Sequence, residues 1–411
     1  MLFTSRPRRI GGRVVLGVVS TLVLGVTGYA WSQLHRLDSG LVTADVIPPA
    51  AQVPGVAAGQ PLEVAQNILV VGLDSRTDAN GNPLPQNVLD SLHAGSSDDG
   101  GDTTDTMIVV HVPAGGAAAT AISIPRDSYV DVPGYGKHKI NSAYSRARAS
   151  ARSELAAKGL SGPQLEVAAD AAGARTSIAT VEKLTGLTIN HYAAVNLAGF
   201  AALSEAVGGV QVCLNNPVHD SYSGANFPAG VQTLSGVQAL EFVRQRHGLP
   251  NGDLDRIARQ QAFLAGMAKK VLSSGTLTNP GKLSALVDAL QGSVVLDQGW
   301  DLLGFAQQLH GLSSGKITFV TIPVQSLSLP TPADGDAVQV DPQQVQQFVQ
   351  EQVTSPDVSA SGGSGEPVTP AGSHGGVHPI AMTTWSDPPS GAPTSGTPQQ
   401  PVATTATGCV N

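Results

Sequence analysis

The chain has 411 residues, 41% hydrophobic and 13% charged, enough to bury one large core or two smaller ones. Its formal net charge of −8 argues against a general nucleic-acid-binding surface, so any cluster of arginines is a local feature. Two cysteines among 411 residues say little about redox compartment by themselves.

The chain opens on MLFTSRPRRIGGR, with Arg6, Arg8, Arg9 and Arg13 and no acid. An apolar run over residues 14–31 follows, close to the ~20 residues that cross a bilayer. Basic residues stay on the cytoplasmic side. The reading is therefore a cytoplasmic segment 1–13, one transmembrane helix at 14–33, and the remaining chain outside the cytoplasmic membrane. A cleaved signal peptide is the alternative. An outside location makes Cys213 and Cys409 a candidate disulfide, one that would pin the end of the chain to its body.

Residues 34–66 are rich in Pro, Ala and Gly and read as a stalk. From Asn67 the pattern becomes α/β. Strands are expected at 67–74, 106–112 and 119–125, the last two joined as a hairpin by PAGGAA. Helices follow from 149 through Leu184 and again at 198–209, the latter stopped by glycine. Further strands are expected at 209–214 and 316–323, and a closing helix at 340–353 with proline in its first turn. After Thr354 the chain turns to Ser, Gly, Pro and Thr, so 355–411 is expected to be a disordered tail. One α/β domain at 67–354 is the result.

Four stretches concentrate polar residues. In GLDSRTD, Asp74 stands at the carboxyl end of a strand, where ligands of open α/β sheets bind. Asp74 suits a metal and Arg76 a phosphate; an ordinary turn is the alternative. In DDGGDTTDT, Asp105 stands where a loop enters a strand, and the spacing excludes an EF-hand. If the two strands are neighbours, Asp74 and Asp105 make a hard-oxygen site with open positions for water and phosphate oxygens. In SIPRDSYVDVPGYGKHKINSAYS, Arg126 and Asp127 sit at a strand lip, with Lys137, Lys139 and Asn141 following.

The fourth stretch is FVRQRHGLPNGDLDRIARQQAF. An extended VRQRH puts Arg244 and Arg246 on one face. Asp253 is expected to cap a helix. Arg256 and Gln260, one turn apart, then face the protein, while Arg259 points to solvent or to an acid. An inward guanidinium is costly unless met. Either Glu241, Asp253 or Asp255 pairs with it, or an anionic ligand does; a phosphate suits the planar fork and a helix N-terminus adds donors.

Taken in order, GLDSR, TDT, SIPRD with KINSAY, VEKLTGLTINHYAAVNLAGFAALSEAVGGV, LSGVQALEFVRQRH and GDLDRIARQQ resemble the LytR-CpsA-Psr family of cell-wall ligases. The likeness is strong over residues 67–275 and weaker to 354. It implies a central mixed β-sheet flanked by helices, on the wall side of a single-pass anchor. It implies transfer of a glycopolymer from a polyprenyl-diphosphate carrier to peptidoglycan through a phosphodiester. By motif match, Asp74 and Asp105 would hold Mg2+ or Mn2+. Arg126, Arg244, Arg246, Arg256 and Gln260 would bind the diphosphate, with Lys139, Asp253 and Arg76 assisting, and an apolar pocket would take the prenyl chain. The chain departs from the pattern in its long insert between Asp74 and Asp105 and in Thr103-Thr104, where many members have an arginine. The insert and the Gly/Ala/Pro content look actinobacterial, which would make the polymer partner arabinogalactan or a teichoic-type polymer. Hydrolysis of the same lipid diphosphate and a non-enzymatic regulatory role are the rival readings. The cytoplasmic segment is too short for a DNA-binding module.

Overall fold

The computed structural model describes residues 40–52, 64–96, 102–116, 118–271, 280–301, 305, 317–354 and 408–411. The expected membrane helix lies outside the described residues, as do most of the stalk and most of the tail. Among the described residues, no helix is long and apolar enough to cross a membrane.

The centre is a seven-stranded mixed sheet. Its order is Val42–Ala44, Val294–Asp297, His191–Asn196, Gln66–Leu73, Thr104–Val112, Ala119–Ser123, Ile317–Thr321. Gln66–Leu73 runs parallel to His191–Asn196 and antiparallel to Thr104–Val112. Thr104–Val112 and Ala119–Ser123 form the expected hairpin, and Ile317–Thr321 extends the sheet parallel to the latter. These directions bring the ends of Gln66–Leu73, Ala119–Ser123 and His191–Asn196 and the start of Thr104–Val112 to one edge.

Strand alternation divides the hydrophobic residues between two faces. Leu69, Val71, Leu73, Met107, Val109 and Ile122 enter one core, beneath the helices Ser142–Ala157, Gly162–Thr185 and Pro342–Thr354. Gly162–Thr185 starts with proline in its first turn and stops at Gly186 in the left-handed region, so its limits follow from local chemistry. On the opposite face, Ile108 and Ala121 meet Leu264 and Ala265 of the helix Asp253–Val271. That helix joins Leu197–Ala206 and Gly236–Arg244 in a second core around Phe242 and Phe263.

Two expectations change, and one strand finds its place. Part of the stalk belongs to the domain: Val42–Ala44 is an edge strand, and Val46 and Ile47 are buried in the first core. Three residues are too few to show a period. His191–Asn196, read only as part of a longer motif, is a central strand of the sheet. Val210–Leu214 is a strand, but it pairs with Gly230–Leu234 outside the main sheet.

The end of the tail is also structured. Cys213 and Cys409 are joined in a disulfide. Val410 is buried and pairs with Leu214; its N–H donates to Cys213 O at 2.9 Å, and its carbonyl accepts from Asn215 N at 2.9 Å. A strand partner compensates the backbone groups that a four-residue end would otherwise leave to water. Replacing Cys409 with serine is expected to lower stability by about 2–5 kcal/mol, because the bridge closes a long loop. Urea denaturation of the oxidised protein checks this; a midpoint equal to wild type would contradict it.

Candidate active site

The shared sheet edge carries the candidate site. Residues 70–74 form one wall of a cleft of about 360 Å³. Alternation points Val70, Gly72 and Asp74 to the same face. The neighbouring strand solves a parity problem. Asp105 should share the face of Met107 and Val109, away from the cleft. The register between the two strands, however, shifts by one residue between Gly72 and Leu73. The bulge places Asp105 and Thr106 together in the cleft wall. Gly72 faces the bulge closely: a Cβ there would lie 3.2 Å from Thr106 Cβ.

Asp74, Asp105, Arg126, Arg244, Arg246, Arg256 and Gln260 all line this one cleft. Three other expected site residues do not. Arg76 is buried behind Asp74, its Nη1 2.7 Å from the Asp74 carboxylate and donating to Asp74 O at 2.8 Å, while its Nη2 and Nε donate to Ala94 O at 2.8 and 3.1 Å. Lys139 lies 3.4 Å from Asp127, which also has Arg126 at 3.6 Å and Arg246 at 3.7 Å. Asp253 is not a capping residue: it is the first residue of its helix, and its carboxylate pairs with Arg256.

The arginines are met unequally. Arg126 donates to Asp105 at 2.5 Å. Burial alone would lower the Arg126 pKa, but Asp105, Asp127 and Asp253 outweigh it and raise it. Burial lowers the pKa of Arg256; Asp253 opposes this, while Arg126 and Arg246 push the same way. Arg244 does not lie in an extended segment: it ends the helix Gly236–Arg244, and Arg246 follows in the loop. Arg244 donates to the carbonyls of Leu92 and His93 at 3.2 and 3.4 Å, and among the described residues it has no carboxylate partner. Arg246 is 42% exposed. Local acids therefore do not account for Arg244 and Arg246. Glu241 faces His93 and Asp255 accepts from Asn251.

Arg259, expected to face solvent or an acid, is 1% exposed. It donates to the Gln245 side chain and to the backbone oxygen of Asn411, with its guanidinium 5.2 Å from the centre of the Phe242 ring. Burial pulls its pKa down to about 10. Gln245 sits between the two cleft arginines and donates to His247 O at 3.0 Å. Arg259 thus joins the arginine loop to the disulfide-bound end of the chain. Two positions on, Gln261 donates to Ser123 Oγ at 2.9 Å and Thr321 Oγ1 at 3.1 Å, tying the same helix to the sheet.

The walls are graded. Along Gln66–Leu73 the lining passes from Val70 to Asp74. Along Asp253–Val271, Arg256, Gln260 and Leu264 line the cleft at i, i+4 and i+8, one helical face running from guanidinium to aliphatic. Val195, Leu197, Phe200, Leu240 and Val243 complete the apolar lining. The arrangement suits an amphiphile with an anionic head.

The LytR_cpsA_psr family model matches residues 54–354. The chain belongs to the LytR-CpsA-Psr family. It is 46% identical to the cell wall biosynthesis protein LcpA of Corynebacterium glutamicum, over 86% of this chain and 67% of that protein. It is 35% identical to a polyisoprenyl-teichoic acid–peptidoglycan teichoic acid transferase TagU of Enterococcus faecalis, over 47% of this chain and 56% of that protein. The crystal structure of protein gbs0355 from Streptococcus agalactiae superimposes with a TM-score of 0.52 at 18% identity, over 72% of this chain and 90% of that one.

Within this LytR-CpsA-Psr domain, Asp74 and Asp105 are the two residues that could hold a divalent cation of the Mg2+ type, and each also faces a guanidinium, Arg76 and Arg126 respectively. Asp74 and Asp105 are hard carboxylate donors that line the same cleft from neighbouring strands. Two carboxylates leave positions for water and phosphate oxygens. Asp220, Tyr222, Ser223 and His247, which the sequence did not single out, also line the cleft. The adjacency of His247 to Arg246 was the only signal for any of them.

Stability should separate the two kinds of arginine. Arg259→Ala removes two charge-assisted hydrogen bonds and is expected to cost about 3 kcal/mol. Arg244→Ala is expected to cost about 1 kcal/mol or less. Urea denaturation of both variants checks the order; equal losses would contradict it.

Proposed function

We propose that the protein transfers a wall glycopolymer from a polyprenyl-diphosphate carrier to peptidoglycan, forming a phosphodiester. The graded cleft carries this reading: its four guanidinium groups match a diphosphate and its apolar lining matches the attached prenyl chain. The names of two relatives support it, one for cell wall biosynthesis and one for teichoic acid transfer to peptidoglycan. The proposal includes an anchor at residues 14–33 and a catalytic domain on the wall side of the cytoplasmic membrane.

Arg244, Arg246, Arg256 and Gln260 bind the two phosphates, and Arg126 is held beside them by Asp105. A peptidoglycan sugar hydroxyl attacks the phosphorus bearing the glycan. The new P–O bond forms, and the bond from that phosphorus to the bridging oxygen breaks, its electron pair leaving with the prenyl monophosphate. Charge develops on the bridging oxygen, and guanidinium groups already in place stabilise it without reorganising. Mg2+ or Mn2+ bound at Asp74 and Asp105 would add neutralising charge at the phosphate oxygens. Asp127 and Asp253 are the two candidates to take the hydroxyl proton; Asp127 contacts Arg126, Lys139 and Arg246, and Asp253 is buried against Arg256.

With a labelled lipid-linked glycan and peptidoglycan, Arg244→Ala is expected to slow transfer about 100- to 1,000-fold. Its urea midpoint should stay near wild type, and near-normal transfer would refute the reading. Chelation should abolish transfer and Mg2+ restore it; an undiminished rate in chelator would remove the cation from the scheme. Omitting peptidoglycan should stop glycan release; continued release would mark the enzyme as a hydrolase.

A further inference from the structure

The arginine end of the cleft has a rim that phosphate binding does not use. The hairpin Val218–Asp220/Ala225–Phe227 carries Tyr222 at its turn. Tyr222 is 78% exposed, more than any other large hydrophobic side chain among the described residues. Its ring packs on the imidazole of His247, with centroids 4.2 Å apart and planes at 31°. Both side chains line the cleft beside Arg244 and Arg246.

The pair is supported from beneath. The Asp220 side chain is 1% exposed, and its Oδ1 lies 3.6 Å from His247 Nδ1. It accepts from Ser223 Oγ at 2.8 Å and from Tyr222 N at 3.0 Å. Burial alone would raise the Asp220 carboxyl, but the Ser223 and Tyr222 hydrogen bonds outweigh it and hold it below the usual range. Gly224 fixes the turn: its φ is +80°, and a Cβ there would lie 2.6 Å from Glu241 Oε1. A buried carboxylate and a glycine in a backbone conformation that disfavours side chains thus hold an aromatic pair at the mouth of the cleft.

The chemistry of that pair selects among ligands. Aromatic faces carry negative charge density and repel phosphate oxygens. An acyl chain needs an enclosed apolar wall, which this rim does not provide. A pyranose ring fits both properties: its C–H face packs on the aromatic face, and its hydroxyls meet Tyr222 Oη and the imidazole. We propose that Tyr222 and His247 form a saccharide subsite that stacks a pyranose ring next to the arginines. The placement rests on the diphosphate reading, in which the glycan is joined to the phosphate farther from the prenyl chain. The ring belongs either to the donor glycan or to the acceptor strand.

Calorimetry on the full-length protein tests this with three probes: farnesyl diphosphate, farnesyl-diphosphate-linked N-acetylglucosamine, and a soluble N-acetylglucosamine tetramer. Tyr222→Ala is expected to weaken at least one sugar-bearing probe about tenfold while leaving farnesyl diphosphate within about twofold. Tyr222→Trp should restore binding, since it keeps an aromatic face. Loss confined to the lipid-linked sugar assigns the ring to the donor; loss confined to the tetramer assigns it to the acceptor. Unchanged sugar affinity in Tyr222→Ala, equal weakening of farnesyl diphosphate, or a wild-type protein that binds neither sugar overturns the subsite. A wild-type protein that ignores farnesyl diphosphate, yet loses the tetramer in Tyr222→Ala, sinks the diphosphate reading and supports the subsite.

Discussion

A guanidinium withdrawn from water must be met by acceptors, and the cleft is organised by how each arginine is met. Arg76, Arg126 and Arg256 each face a carboxylate. Arg259 is met by a side-chain amide and a backbone carbonyl instead. Arg244 has carbonyls only, and Arg246 only a long contact to Asp127. The first group is partly met within the protein, which holds the walls in place, while Arg126 and Arg256 still line the cleft. The last two leave positive charge directed at the cleft, and an anionic ligand would complete it.

That arrangement depends on parts distant in the chain. A bulge turns Asp105 into the cleft, and the sheet edge brings it beside Asp74. Gln261 ties the arginine helix to the sheet, while Arg259 ties it to the loop between Arg244 and Arg246. The last described residues lie on the strand Val210–Leu214 and reach Arg259 through Asn411. The same scaffold grades the cleft from charged to apolar, because one strand and one helix each present a face that changes character along its length. A ligand with a charged head and an apolar chain would satisfy both ends at once.

Much of this was legible in the residues. The strand pattern at 67–74, the hairpin after Thr106 and the closing helix follow from hydrophobic period and turn chemistry. Asp74 and Arg126 stand at strand ends, and Arg256 and Gln260 share one helical face, so their placement was also legible; Asp105 joins them only through the bulge. Val42–Ala44 and His191–Asn196 were not read as strands. The first is too short to show alternation, and the second is embedded in a motif whose helix dominates the pattern. Arg259 was misread because helical spacing tells which residues share a face, not what that face meets.

The sequence by itself determined most of the element types, the family and the residue types available to the site, since propensity, alternation and residue type are local properties. Tertiary structure alone decided which charges are cancelled and which remain. Asp253 turned from capping to pairing with Arg256, Arg259 was buried by contacts from Gln245 and Asn411, and Tyr222 came to rest on His247. Each outcome depends on distances between groups far apart in the chain or across a turn. Electrostatic and stacking energies change over a few ångströms, a scale that residue order does not encode.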